Sequence, residues 1–329
     1  TIKQVLPFHG FSMSRFYDCE ISGVRFLTKV GFYRKTPPEI YGTMTGAVVP
    51  HIDAEINILR IFKEKITDAN LTPCILEMVY YKVCDNLKRI TPSPRECAQL
   101  TLDKRERTNA NDVEQVMCKY LDLVKNNLAH DRCAFVVLDR CDLSLDEYLR
   151  KGINTPVALA VFKSLLFQII YTVYVIGLIY PGFRHYDLHT ENIMLKFDPD
   201  YKFVATSPKF LVFPVGKVKY SVPYFGIIPK IIDFGFSALP EEGIVSNVTE
   251  DRVQMYFRSQ NDLLLLFHWV HHIVVNGGLD KKGRVDELLK QLEPTLAYVP
   301  YYTEHIRRVE KKIATYSEMV RNPVWTEYR

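Results

Sequence analysis

The seven cysteines of this 329-residue chain, Cys19, Cys74, Cys84, Cys97, Cys118, Cys133 and Cys141, include no Cys-x-x-Cys pair. An odd count without such a pair excludes a disulfide framework and a zinc ribbon. Cys133 and Cys141 flank an apolar run and read as buried small hydrophobes, so a reducing compartment, cytoplasmic or nuclear, is expected. A strong charge imbalance is also missing. The 42 Lys+Arg against 38 Asp+Glu leave a net charge of +4, which favours phosphate-bearing ligands but falls short of a nucleic-acid footprint. Nucleic acid is therefore not an expected partner. The opening "TIKQVLPFHG" lacks the basic and apolar regions of a signal peptide. Because the chain begins on Thr1 rather than methionine, a further N-terminal segment is expected. Internal repeats and low-complexity segments are absent.

What is present is apolar residue, 47% of the chain. That amount excludes disorder and fibres and suits one bilobal domain or two ordinary ones. The longest apolar stretch, "TPVALAVFKSLLFQIIYTVYVIGLIYPG" at 155–182, approaches the length of a membrane span. Lys163 and Gln168 interrupt it, and Thr155 followed by Pro156 is a helix start. A buried helix of a large core is expected, not a membrane span.

The first fifty residues read as a meander of about three strands, punctuated by Gly10 and by Ser22–Gly23. "VVPHIDAEINILRIFKEKI" changes period, with Ile52, Ile56, Leu59 and Phe62 or Lys63 at helical spacing after Pro50. "CILEMVYYKVC" returns to a strand pattern, and the polar stretch after it reads as an insertion. "CAFVVLDRCD" suits a buried strand, followed by "LSLDEYLRKG" as a short helix ending at Gly152. Residues 202–235 are β-branched, aromatic and Pro/Gly-punctuated, and read as strands closing on the site. From 261 onward the pattern is helical.

Chemistry concentrates in "RHYDLHTENIML" at 184–195 and "KIIDFGFS" at 230–237. Asp187, His189 and Asn192 lie within six positions, and Asp233 ends an apolar strand. Asp233 and Asn192 can offer oxygen ligands to Mg²⁺ while Asp187 stays available to orient a hydroxyl. Their order, each after an apolar element, identifies the pair as more than chance.

These segments resemble the catalytic loop and the Asp-Phe-Gly motif of the eukaryotic protein-kinase superfamily. The resemblance implies an α+β bilobal protein-kinase-like fold, with a small β-rich N-lobe carrying one main helix and a larger, mainly helical C-lobe. The N-lobe would span 1–139 with an insertion at about 85–130, and the C-lobe 140–329 with a β insertion at about 197–229. It implies ATP and Mg²⁺ as cofactors, a protein hydroxyl as acceptor, Asp187 as catalytic base, and Asn192 and Asp233 as metal ligands. Lys29 in "VRFLTKVGF" would neutralise phosphates and pair with Glu55. Asp53 competes with Glu55, and Lys35 and Arg25 compete with Lys29. Leu138 would be the gatekeeper of an adenine-binding hinge containing Asp139, Arg140 and Cys141, and Asp262 the helical carboxylate that holds the catalytic loop.

Several positions depart from the pattern. "HGFSMSRFY" keeps Gly10 but carries Ser12 and Ser14 where glycines would let the backbone reach phosphate, so their hydroxyls become the candidate nucleotide contacts. Tyr186 replaces the arginine that receives an activation-loop phosphate. His189 replaces a lysine that stabilises the transferring phosphoryl group. No Ala-Pro-Glu motif lies between Asp233 and Asp262. Lengthened loops and a strand like "IIDFGFS" resemble the divergent kinases of large DNA viruses, which would place the protein in a host cell or virion. Serine/threonine-kinase activity is the leading expectation. A small-molecule kinase of aminoglycoside or choline kinase-like type and a nucleotide-binding pseudokinase scaffold are the alternatives. His185 reads as a packing element of its loop, and His268, His271 and His272 as core or surface residues rather than zinc ligands.

Overall fold

A computed structural model describes residues 2–4, 15–34, 48–86, 120–202, 208–246, 261–294 and 314–329. Its N-terminal part is an antiparallel sheet of β1 (Ile2–Gln4), β2 (Arg15–Ile21), β3 (Val24–Arg34), β5 (Met78–Asp85) and β6 (Ala129–Asp139), in the order β1-β2-β3-β6-β5. The β2–β3 hairpin turns at Ser22 and Gly23, both at positive φ, as a tight connection between twisted strands demands. Strand β3 is central, so Val30, Phe32 and Tyr33 are all buried despite lying on alternate faces.

Between β3 and β5 the chain makes a two-residue strand, β4 (Val48–Val49), and the helix α1 (His51–Phe62). Pro50 caps the helix, where its missing N–H costs nothing. Ile52, Ile56, Leu59 and Phe62 are buried, whereas Lys63 stays in solvent beside Asp68, which settles the end of the apolar stripe on Phe62. Much of the insertion expected at 85–130 falls outside the described residues. Its described end carries Tyr120, stacked on Phe32 at 4.4 Å, before β6 begins at Ala129.

The C-terminal part is built on helices. After β7 (Leu143–Ser144), α2 (Leu145–Arg150) starts with a capping box between Ser144 and Glu147. Helix α3 (Pro156–Ile179) starts at the Thr155 cap, with 83% of its apolar window buried inside the protein. Buried Gln168 is hydrogen-bonded to Ser164, as a polar group in such a core must be. Strand β8 (Ile193–Phe197) pairs with β7 and with β11 (Ile227–Ile231). Between these two lies the hairpin of β9 (Lys209–Val215) and β10 (Val218–Tyr224).

The expectation that residues 202–235 close on the site needs correction, since only β11 runs toward Asp233. The hairpin instead turns Phe213, Tyr220 and Val222 inward against α3, where Phe167 meets Phe213, Tyr220 and Trp325 within 5.2–5.7 Å. An alternating strand pair with one apolar face goes where the largest apolar surface is, and that is α3. Short strands β12 (Ala238–Leu239) and β13 (Ile244–Ser246) follow, then α4 (Asn261–His271), α5 (Arg284–Leu292) and α6 (Tyr316–Val320). The result is the expected α+β architecture, a β-rich lobe with one main helix and a larger, mainly helical lobe. One apolar cluster runs continuously from Ile52 on α1 through α3 to Trp325.

Gly31 on β3 faces α1 so closely that a Cβ there would meet Ile52 Cδ1 at 2.3 Å and Cγ1 at 2.6 Å. Gly31→Ala should destabilise the fold by about 1–3 kcal/mol through overpacking, and Ile52→Ala should relieve part of that loss in the double variant, as read by chemical denaturation. Burial, with His272 and His271 nearby, lowers the pKa of His268 on α4 below its ordinary 6.5. A histidine held neutral by the fold costs stability as pH falls below its unfolded value, because the unfolded chain then binds the proton more readily. The melting temperature of His268→Gln should accordingly drop less than that of the parent between pH 7 and pH 5.

Candidate active site

Lys29 lies on the central strand, 4% exposed, with its neighbours Thr28 and Val30 also buried. A lysine in that position needs partners for its charge. Its ammonium donates to Glu55 Oε2 at 2.7 Å and to Asp233 Oδ1 at 2.9 Å. The Asp53 alternative is resolved by the same helix: Asp53 Oδ1 accepts from Tyr33 Oη at 2.6 Å, on another face. Arg25 is engaged with Asp18, and Lys35 lies outside the described residues. Burial opposes the charge of Lys29, but Asp233 and Glu55 outweigh it and hold the pKa well above the ordinary lysine value. Burial likewise pushes Glu55 up against the pull of Lys29, while for Asp233 the lysine overcomes burial and lowers the carboxyl pKa.

Asp233 follows β11 in a left-handed conformation, φ 60° and ψ 66°, that a non-glycine residue adopts only at a cost. The conformation is held from both sides. Phe234 is fully buried, edge-on to Phe62 of α1 at 5.5 Å and 5.1 Å from His185. Beyond it, Ser246 Oγ donates to Gly235 O at 2.5 Å. The Asp233 side chain itself remains 35% exposed, so its carboxylate can still meet a ligand.

The loop at 184–192 is suspended from α4. Asp262 accepts from the backbone N–H groups of His185 and Tyr186, both at 2.9 Å, as the resemblance implied. Tyr186 is the second non-glycine residue of the site at positive φ, 63°. Its ring joins Ala238, Val245 and Phe236 in a small apolar cluster, so the position expected to receive a phosphate in the family is filled by packing. His185 Nδ1 accepts from Asp187 N at 3.3 Å, which leaves Nε2–H to donate to Ile232 O at 2.9 Å. Imidazole thus ties this loop to the residue preceding Asp233.

Asn192 Nδ2 donates to Asp187 O at 2.8 Å. His189 Nδ1 accepts from Glu191 N at 3.2 Å, and its Nε2 lies 3.2 Å from Asn192 Nδ2 and 3.7 Å from Asp187 Oδ2. Asp187 and Asp233 are close enough to repel one another. Lys29, Glu55, Asp233, Asp187, Asn192 and His189 are therefore brought together. Two carboxylates on one ammonium, with Asp187 beside Asp233, leave this cluster short of positive charge among the described residues.

Leu138 is buried at the end of β6, and Asp139 N donates to Glu77 O at 2.9 Å, so that N–H belongs to the sheet. Cys141 is partly buried, with its thiol pushed up to about 12 by burial and by Asp139. Gly10, Ser12 and Ser14 lie outside the described residues.

Two further supports carried no sequence signal strong enough to find them. Strand β13 pairs in parallel with β4, Val245 opposite Val48 and Ser246 opposite Val49, so the segment after Asp233 attaches to the entry of the helix bearing Glu55. Asp146 of α2 accepts from Thr190 Oγ1 at 3.2 Å, inside the catalytic-loop motif.

No family model matches the chain. It is 26% identical over 223 residues to an Acanthamoeba polyphaga mimivirus protein named "Putative serine/threonine-protein kinase", covering 64% of this chain and 53% of that protein. A second mimivirus protein of the same description is 31% identical over 101 residues, 31% of this chain and 21% of its own length. The chain thus spans about half the length of the first relative. A crystal structure described as a kinase domain superposes with a TM-score of 0.43 at 11% identity, covering 83% of this chain and 64% of the other. The chain is thus similar, over part of its length, to mimivirus proteins described as serine/threonine-protein kinases.

Proposed function

We propose that this protein is an ATP- and Mg²⁺-dependent serine/threonine protein kinase. The observation that carries the reading is the buried Lys29 ammonium shared between Glu55 and Asp233, at 2.7 and 2.9 Å, beside a loop that presents Asp187. Lys29 would hold the α- and β-phosphates, and Glu55 keeps it extended toward them. The carbonyl of Asp139 and the N–H of Cys141 are the hinge groups suited to adenine.

The donor set fits Mg²⁺, a hard cation that takes oxygen ligands and keeps waters. Asp233 supplies a half-open carboxylate, and Asn192, with its Nδ2 turned to Asp187 O, has its amide oxygen left for a cation. When bound, the ion would neutralise charge developing on the transferring phosphates. The chain's own groups do the rest. Asp187 orients the acceptor hydroxyl and takes its proton as the bond to the γ-phosphorus forms and the bond from that phosphorus to the departing ADP oxygen breaks. His189, whose Nε2 lies beside the Asp187 carboxylate, would support the phosphoryl oxygens in flight.

A protein acceptor is favoured over a small alcohol by the acceptor side of Asp187. There, among the described residues, stand the imidazole of His189 and the exposed ring of Trp269, 5.9 Å apart. Described cysteines Cys19, Cys74, Cys84, Cys133 and Cys141 are free thiols, and Cys84 lies directly opposite Cys133 in the sheet, which supports a reducing compartment.

Asp187→Asn should lower phosphate transfer to a generic protein substrate by roughly 10³-fold while the circular dichroism spectrum stays unchanged. Undiminished transfer would exclude this mechanism, and a parent protein whose melting temperature rises with Mg²⁺-ATP but which transfers no phosphate would favour the nucleotide-binding scaffold. Glu55→Gln should reduce transfer by roughly tenfold or more, because the lysine loses the charge that fixes it. Asp53→Asn, on the Tyr33 side of the same helix, should leave the rate within twofold.

A further inference from the structure

Helix α4 is buried almost all round: Leu263, Leu264, Leu265, Leu266, Phe267 and Val270 are between 0 and 4% exposed. Trp269 breaks that pattern, with 39% of its surface open. Singly exposed aromatics are ordinary on a protein surface; what distinguishes Trp269 is its place beside the loop that presents Asp187. The ring does not stand alone. It lies 5.9 Å from His189 and 6.1 Å, edge-on, from His272, and His189 in turn has Nε2 3.7 Å from the Asp187 carboxylate. Helix α4 is locked to this loop through Asp262, so the indole is fixed relative to Asp187.

We infer that Trp269 is a specificity-determining residue, an aromatic shelf that takes an apolar or aromatic side chain flanking the acceptor serine or threonine of a polypeptide substrate. The inference rests on the protein-kinase reading above and deepens it. One ring separates the indole from Asp187, a span of about 10 Å, which an extended peptide covers in about three residues at 3.3 Å each. The groups in ring contact with the indole are imidazoles, not carboxylates. A cationic side chain would find no acidic group in those rings, whereas an apolar or aromatic one would be covered on one side by indole and imidazole. His189 joins the two roles, since the ring that reaches toward the phosphoryl group also backs the shelf.

The test is a positional-scanning peptide library, with serine or threonine at its centre, phosphorylated by the full chain in Mg²⁺-ATP. The parent protein should select aromatic or aliphatic residues at one position within three of the acceptor. Trp269→Ala should lose that selection and raise KM for the preferred peptide by roughly tenfold, with KM for ATP as the internal reference moving less than twofold. Trp269→Phe should restore the selection, which separates loss of the shelf from loss of fold. Retained selection in Trp269→Ala, or a parent preference for basic or acidic residues at every position, overturns the shelf while peptide phosphorylation itself upholds the kinase reading. Absence of transfer to any peptide or protein hydroxyl by the parent overturns both.

Discussion

A buried ammonium held by two carboxylates is the constraint around which this molecule is organised. Lys29 comes from the central strand, Glu55 from α1 and Asp233 from the end of β11, so one charge fixes three elements drawn from both lobes. Removing Lys29 would leave the buried Glu55 without its counter-charge, the costliest arrangement an interior can hold. The left-handed backbone at Asp233, the packing of Phe234 between Phe62 and His185, and the bonds that Asp262 accepts from the loop all serve to bring a carboxylate to that ammonium.

Strain and packing are divided in a way that suits such a site. Tyr186 and Asp233 carry positive φ angles, and each is flanked by a fully or nearly buried aromatic contact that holds it there. Where the family pattern has an arginine awaiting phosphate, Tyr186 offers a ring already packed on Ala238 and Val245. An apolar contact of that kind is permanent and insensitive to salt, unlike an arginine–phosphate pair.

The parts of the site legible in the sequence were those written in contiguous residues. Asp187, Asn192 and Asp233 stand in short motifs whose residue types state their chemistry. Glu55 needed only the helical period to reach the sheet side, although choosing it over Asp53 depended on which partner each meets. Other features were illegible for physical reasons. Val48–Val49 and Ile244–Ser246 are too short to display a period, so nothing local announces that they pair. The β9–β10 hairpin shows an apolar alternation that any large core would accept, and the sequence does not say which one. Helix α4 is apolar on every face, which hides the fact that one of those faces, at Trp269, stays open.

The parallel pairing of β4 with β13 has a bearing on how the molecule comes into being. Lys29 and Asp233 are 204 residues apart in the chain, so at ordinary rates of synthesis about 10–40 s pass between the appearance of the lysine and that of its second carboxylate. During that interval β4 has no strand to join, and the helix behind it has nothing to anchor its start. The cleft is therefore among the last features to close, since contacts so distant in sequence repay their loop entropy only after both lobes have condensed. A chain ending before β13 would lack both the β4 pairing and the Asp262 that holds the 184–192 loop, so the cleft is assembled only once α4 has emerged.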